Sequence, residues 1–158
     1  MEKLAILIYP NEILKVKCPE EIFGERTDGL VQALIDTIEN EKWLGLAAPQ
    51  VGAVTRIFVC KIGDEYKEFI NPEIEFVDDT DLGSFYEGCL SVPGFFAWVT
   101  RPKTIQIEYQ DRTGDEFFEV YSGIESTEIQ HEFDHLEGKL FVDRLNRKQR
   151  RHFKAVYR

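Results

Sequence analysis

Apolar residues recur at helical spacing between Asp28 and Lys42, where Leu30, Val31, Leu34, Ile35 and Ile38 fall on one side. The spacing predicts an amphipathic helix there, with Thr27 as its N-cap. The next stretch, Gly45-Leu-Ala-Ala-Pro-Gln-Val-Gly52, is too small and too broken for a regular element. Arg56–Ile62 and Glu68–Val77 read as strands, with Asn71-Pro72 interrupting the second or marking an edge. Ile105, Ile107 and Tyr109 alternate with Gln106, Glu108 and Gln110, the pattern of a half-buried strand. Asp111-Arg-Thr-Gly114 is a turn, and Phe117–Tyr121 returns as the partner strand. Ser122-Gly-Ile-Glu125 fits a capping box, so a helix is expected from about Gly123 to Glu137, stopping near Gly138. A short basic helix from about Arg147, capped by Asn146, follows. Strands first and helices after them suggest an α+β fold, and 158 residues suggest one domain, 1–158, with a real core.

Composition narrows the setting. It is that of an ordinary globular protein, no apolar run approaches a membrane span, and the acidic start Met1-Glu2-Lys3 is no secretory signal. Cys18, Cys60 and Cys89 are odd in number and far apart, which favours a reducing, cytoplasmic compartment over a disulfide framework. The net charge of -10 is uneven: Arg144 to Arg158 hold seven of the 19 Lys/Arg and no acid, against 29 Asp/Glu elsewhere. So acidic a body argues against DNA binding, and no pattern signals an oligomer, so a monomer is expected. The basic end is a solvated helix face or a dock for an RNA-containing partner.

The chemistry is concentrated in Gln130-His131-Glu132-Phe133-Asp134-His135, the pattern H-E-x-x-H. On a helix, residues at i and i+4 share a face, so His131 and His135 can reach one cation, and Glu132 lies where a general base is useful. A hydrolytic metal site needs three protein ligands and an open position. The third must come from an Asp, Glu, His or Cys elsewhere. Cys89, in the loop-like Glu87-Gly-Cys-Leu-Ser91, is the best candidate, although a lone cysteine is as often a small buried hydrophobe. His152, in the basic tail, stands apart.

Three segments together resemble the peptide deformylase family: Gly45-Leu-Ala-Ala-Pro-Gln50 with Val-Gly after it, Glu87-Gly-Cys-Leu-Ser91, and Gln130-His-Glu-Phe-Asp-His135 with Leu-Glu-Gly after it. Asn71-Pro72, Val92-Pro93-Gly94, Arg101-Pro102 and Leu140-Phe-Val-Asp143 agree as well, so the resemblance covers nearly the whole chain. It implies antiparallel sheets packed around a central metal-binding helix. It also implies one divalent ion on Cys89, His131 and His135, with Fe(II) expected and Zn, Ni or Co able to replace it. The implied reaction is hydrolysis of the N-terminal formyl group of a formyl-methionyl nascent polypeptide, releasing formate. Glu132 would serve as general base and then acid, and the oxyanion donors would be the Gln50 side-chain amide and the Leu90 backbone N–H. Trp43, Leu44, Gly45, Phe85, Gly88, Ile124, Thr127 and Glu128 match the substrate cleft, and Glu87, Arg101 and Asp134 would orient the ligands. The basic C-terminal helix would help docking at the ribosome.

The chain departs from that pattern in places. Trp43 stands where the family usually has a glycine, so the cleft edge is narrowed or offers a stacking surface. Glu128 stands at a position usually apolar or small, so either it disfavours a methionine side chain or it turns to solvent. Two rivals keep the metal: a peptidase with Asp143 or His152 as third ligand, and a deacylase for another small acyl group. A binder with a purely structural metal would need a closed four-ligand site.

Overall fold

The computed structural model describes residues 4–157, so the start Met1-Glu2-Lys3 lies outside the described residues. The chain is α+β. Helix α1 (Glu25–Glu41) is followed by strands β1 (Gly45–Ala47), β2 (Ile57–Ile62), β3 (Glu65–Phe76), β4 (Leu82–Cys89), β5 (Val92–Pro102), β6 (Thr104–Gln110) and β7 (Glu116–Ser122). Helices α2 (Gly123–Leu136) and α3 (Arg147–Val156) complete it. One antiparallel sheet runs β1-β2-β3-β6-β7, and β4-β5 form a separate antiparallel ribbon.

Both faces of the five-stranded sheet are covered near β2, which explains why Ile57, Phe58, Val59 and Cys60 are all buried rather than alternating. Ile57 and Val59 meet Val31, Leu34, Ile35 and Ile38 of α1. Phe58 and Cys60 meet Ile129 and Leu136 of α2, together with Phe69, Ile105 and Ile107. The motif helix is therefore clamped by its apolar side against the sheet. The ribbon packs its inner residues Val92, Phe95, Ala97 and Val99 on Phe141, Leu145 and Phe153, which ties α3 down beside the helix.

Several local expectations are corrected. The first helix begins three residues early, at Glu25, with Gly24 and not Thr27 as its N-cap; the Thr27 hydroxyl instead accepts the Gly24 N–H at 3.1 Å. Asn71-Pro72 does interrupt β3, as a bulge between Ile70 and Glu73, but β3 is internal to the sheet and not an edge. Asn71 takes a left-handed φ of 50° there, held by its side-chain bonds to Glu21 and Gln110. The Ser122–Glu125 capping box does not form: Ser122 Oγ bonds Thr104 Oγ1 and Glu125 accepts from the Gly63 N–H. Helix α2 nevertheless spans the expected residues, Asn146 caps α3 by accepting from the Gln149 N–H, and Gly114 closes the β6–β7 turn. The stretch after Trp43 is regular after all, as β1 and a 3-10 turn over Ala48–Val51. Among the described residues, no helix is long and apolar enough to cross a membrane.

Candidate metal centre and substrate cleft

Helix α2 presents His131 and His135 one turn apart, and the end of β4 brings Cys89 to them. One ligand atom from each lies within 4.8 Å of the others, and all three residues are buried. Cys89 is thus not in a loop, as its small neighbours suggested, but at the end of β4. The β4–β5 register shifts between Glu87 and Cys89, and Cys89 pairs with Val92, so Leu90 and Ser91 make the tight turn.

The donor set suits a small divalent ion. Cys89 Sγ and His135 Nε2 stand 3.5 Å apart. A tetrahedral ion with a thiolate at about 2.3 Å and an imidazole at about 2.0–2.1 Å would space those atoms by about 3.6 Å. Burial alone would push the Cys89 thiol up, but His135 and His131 outweigh it and bring it down to about 5. A thiolate ready to ligate is the consequence.

Behind the ligands runs a buried charge relay. Glu87 Oε1 lies 2.9 Å from His131 Nδ1, and the Arg101 guanidinium donates to both Glu87 oxygens, at 2.7 and 3.0 Å. Arg101 also donates to Asp134 Oδ2 at 3.0 Å, and Arg144 donates to both Asp134 oxygens. Burial opposes every charge in this chain, yet the pairing wins: Glu87 and Asp134 stay below their ordinary values. Arg144 is the member that sequence spacing missed.

Two groups border the ligands. Gln50 Oε1 accepts the Ala47 N–H at 2.9 Å, which turns Nε2 toward Ser91 Oγ at 3.0 Å and Cys89 Sγ at 3.5 Å. Glu132 is buried, and its Oε1 has no hydrogen-bond partner. Burial pushes its carboxyl well up; His131 opposes that shift, while Glu128, hydrogen-bonded to it, adds to it. Gly45 is the residue that makes room for this pair. A Cβ there would stand 2.7 Å from Glu132 Oε2 and 2.8 Å from Glu128 Oε1. The protein's own carboxyls thus give a structural reason for glycine at this position.

Beside the ligands lies a cleft of about 540 Å³, lined by Trp43, Leu44, Phe85, Gly88, Ile124, Thr127 and Glu128 among others. Every one of these was a sequence candidate. A Cβ on Gly88 would run into the Phe96 ring, so glycine is required where that ring packs. Sequence reading named Trp43 but missed the rest of the aromatic wall: Trp43 stacks on Phe96, Phe96 on Tyr86, and Tyr86 meets Trp98. A separate cavity of about 640 Å³ near Arg56 and Glu137 is lined by none of the three ligands.

With this geometry in place, comparison with known proteins decides the family. The polypeptide deformylase family model matches residues 3–151. The chain belongs to the polypeptide deformylase family. The peptide deformylase of Teredinibacter turnerae is 42% identical over 147 residues, covering 90% of this chain and 87% of the relative. That of Pseudomonas aeruginosa is 41% identical over 150 residues, covering 92% and 89%. The crystal structure of a peptide deformylase from Legionella pneumophila superposes with a TM-score of 0.88 at 36% identity, covering 97% of this chain and 92% of that one. Polypeptide deformylases are metal-dependent hydrolases that remove N-formyl groups from nascent polypeptides, and this chain is such an enzyme. Against the peptidase rival, Asp143 accepts the Leu140 N–H and His152 lies beside Phe95, while Cys89 stands with the two histidines.

Proposed function

We propose that Cys89, His131 and His135 hold one divalent ion, Fe(II) by preference, and that Glu132 carries the proton transfers of formyl-methionyl peptide hydrolysis. The observation that carries this is the unpartnered Glu132 Oε1, buried on the same helix as two ligands whose third partner is a thiolate. Bound there, the ion supplies Lewis-acid polarisation and makes a water acidic. Glu132 accepts the proton of the attacking water as that water's oxygen bonds to the formyl carbon. The developing oxyanion receives hydrogen bonds from Gln50 Nε2, already oriented by Ala47, and from the Leu90 N–H in the turn after Cys89. Glu132 then delivers the proton to the departing nitrogen, the C–N bond breaks, and formate and a free amine leave.

A thiolate ligand donates more charge than a third imidazole and weakens the ion's Lewis acidity, which favours a more reactive, oxygen-sensitive ion such as Fe(II) over Zn. The cleft at Trp43, Leu44 and Ile124 takes the first side chain of the peptide. We assign the chain 1–158 to one catalytic unit, working as a monomer in the cytoplasm, with the basic face of α3 (Arg147, Arg150, Arg151, Lys154) turned to the ribosome. Formate release from formyl-Met-Ala-Ser by anaerobically purified, Fe(II)-loaded protein tests the proposal. Release that a chelator abolishes and Fe(II) restores supports it, and no release from any formyl peptide by folded, fully metallated protein overturns it.

A further inference from the structure

The two groups assigned to the oxyanion stand on separate pieces of backbone. Gln50 belongs to the 3-10 turn Ala48–Val51, which follows the edge strand β1 of the five-stranded sheet. Leu90 belongs to the turn of the β4–β5 ribbon, which is not part of that sheet. No strand pairing therefore sets one donor against the other. Among the described residues, no backbone hydrogen bond joins the two turns directly. The N-terminal segment joins them instead. The Leu7 N–H donates to the Gln50 carbonyl at 2.7 Å, and the Tyr9 N–H donates to the Ser91 carbonyl, next to Leu90, at 2.8 Å. Residues two apart on an extended chain face the same way, so one short segment can reach both turns.

Side chains fix this segment from both sides. Ile6 packs on the α1 core that Leu90 also meets, and Leu7 and Tyr9 pack on the core of Cys89, Val92 and Phe153. The Tyr9 ring meets Phe153 of α3 edge-on, with centroids 5.3 Å apart, and Tyr157, just after α3, at 5.8 Å. Phe153 and Tyr157 stack on each other at 5.2 Å. These are ring contacts, so phenylalanine at position 9 would make them as well.

We propose that Tyr9 is a positioning residue for the hydrolysis: clamped against α3, it holds the Leu90–Ser91 turn and the Gln50 turn at the spacing the oxyanion requires. This rests on the reading of Gln50 and Leu90 as oxyanion donors, but the clamp on the two turns can be measured without turnover. An interaction made only with the transition state acts on kcat and leaves KM alone.

The test uses Tyr9→Ala, which keeps the backbone donors and removes the ring, beside Tyr9→Phe, which keeps the ring. On formyl-Met-Ala-Ser, Tyr9→Ala should lower kcat by about tenfold with KM and bound metal unchanged, because a small misplacement of reacting groups is costly. Tyr9→Phe should restore the wild-type rate. Tyr9→Leu keeps apolar bulk where Tyr9→Ala fails to fold, and should show the same split to a lesser degree. Gln50→Ala combined with Tyr9→Ala should lose less than the product of the two single losses, since the ring acts in part through Gln50. An unchanged kcat in both folded Tyr9 variants, or a double variant whose loss equals that product, overturns the proposal.

Amide hydrogen exchange of the protein as purified reads the clamp itself. In Tyr9→Ala, amides of residues 7–9, 50–53 and 90–92 should exchange faster by about tenfold, while those of β2, β3 and α1 keep wild-type rates. Faster exchange spread evenly along the chain would make the ring ordinary packing and overturn the proposal. If Gln50→Ala itself leaves kcat unchanged, the donor reading fails alone, and the exchange pattern still decides the clamp.

Discussion

Glu87 Oε1 lies 2.9 Å from His131 Nδ1, and the same carboxylate takes two hydrogen bonds from the buried Arg101. One side chain thus orients the imidazole of a candidate ligand and neutralises a buried guanidinium. Glu87→Ala should lower metal affinity by about 10–100-fold and destabilise the fold by about 3–5 kcal/mol, because Arg101 loses a buried partner. Glu87→Gln keeps an acceptor for the imidazole and should lose less of both. Competition with a chromophoric chelator, beside urea denaturation, separates the two effects.

Gly45→Ala should keep the metal and lose the rate. Its Cβ would lie 2.9 Å from Glu132 Cγ, inside van der Waals contact, so the carboxyl must move. Displacement of a reacting group by about 1 Å costs about 100-fold, expected here in kcat with metal content unchanged. Metal analysis of the purified variant beside its kcat checks both parts.

Gln50 and Ser91 form a buried pair beside Cys89, with the amide Nε2 3.0 Å from the serine Oγ. On the proposed mechanism Gln50→Ala removes an oxyanion donor and should lower kcat by about 10²–10³. Ser91→Ala leaves the Ala47 anchor in place and should cost much less. Steady-state kinetics of the two variants on one formyl peptide settles the order.

Part of the architecture was legible because hydrophobicity keeps a period there, as in α1 and the alternating β6. Helix α2 and helix α3 were read instead from terminal residues, and of their N-terminal caps only that of Asn146 forms as expected. The β4–β5 ribbon was illegible for a physical reason. Its inner face carries Phe95, Ala97 and Val99, but Phe96 and Trp98 occupy the outer face, so apolar residues run without alternation. Cys89 seemed to be in a loop because its neighbours are small, yet it ends β4 beside a bulge that turns its thiol toward the histidines. The candidate ligand set came from the motif and the family resemblance, not from periodicity. Arg144 could not be found, since it is linked to the site only through Asp134 and Arg101 in space.

Alkaline stability should depend on a hydrogen-bonded cluster on β3, β6 and β7. Glu119 Oε1 accepts hydrogen bonds from Tyr109 and Tyr121, both at 2.6 Å, and Lys67 donates to it as well. Burial first, and then the Glu119 carboxylate, hold both phenols well above their ordinary range. The folded state therefore keeps two protons that the unfolded chain releases near about pH 10. The resulting stability is complete below that pH and is lost as pH rises above it. Tyr121→Phe should flatten the decline in denaturation midpoint between about pH 9 and pH 11, and an equal slope in wild type and variant would contradict the linkage.

The central claim is that Glu132 moves protons at an ion held by Cys89, His131 and His135. Formate release by wild type and Glu132→Gln, matched for bound Fe(II) and assayed anaerobically on formyl-Met-Ala-Ser, tests it most directly. Glutamine keeps the shape and cannot accept the water's proton, so kcat should fall by about 10²–10⁴ with metal retained. A fully metallated Glu132→Gln enzyme that releases formate at the wild-type rate would contradict the account.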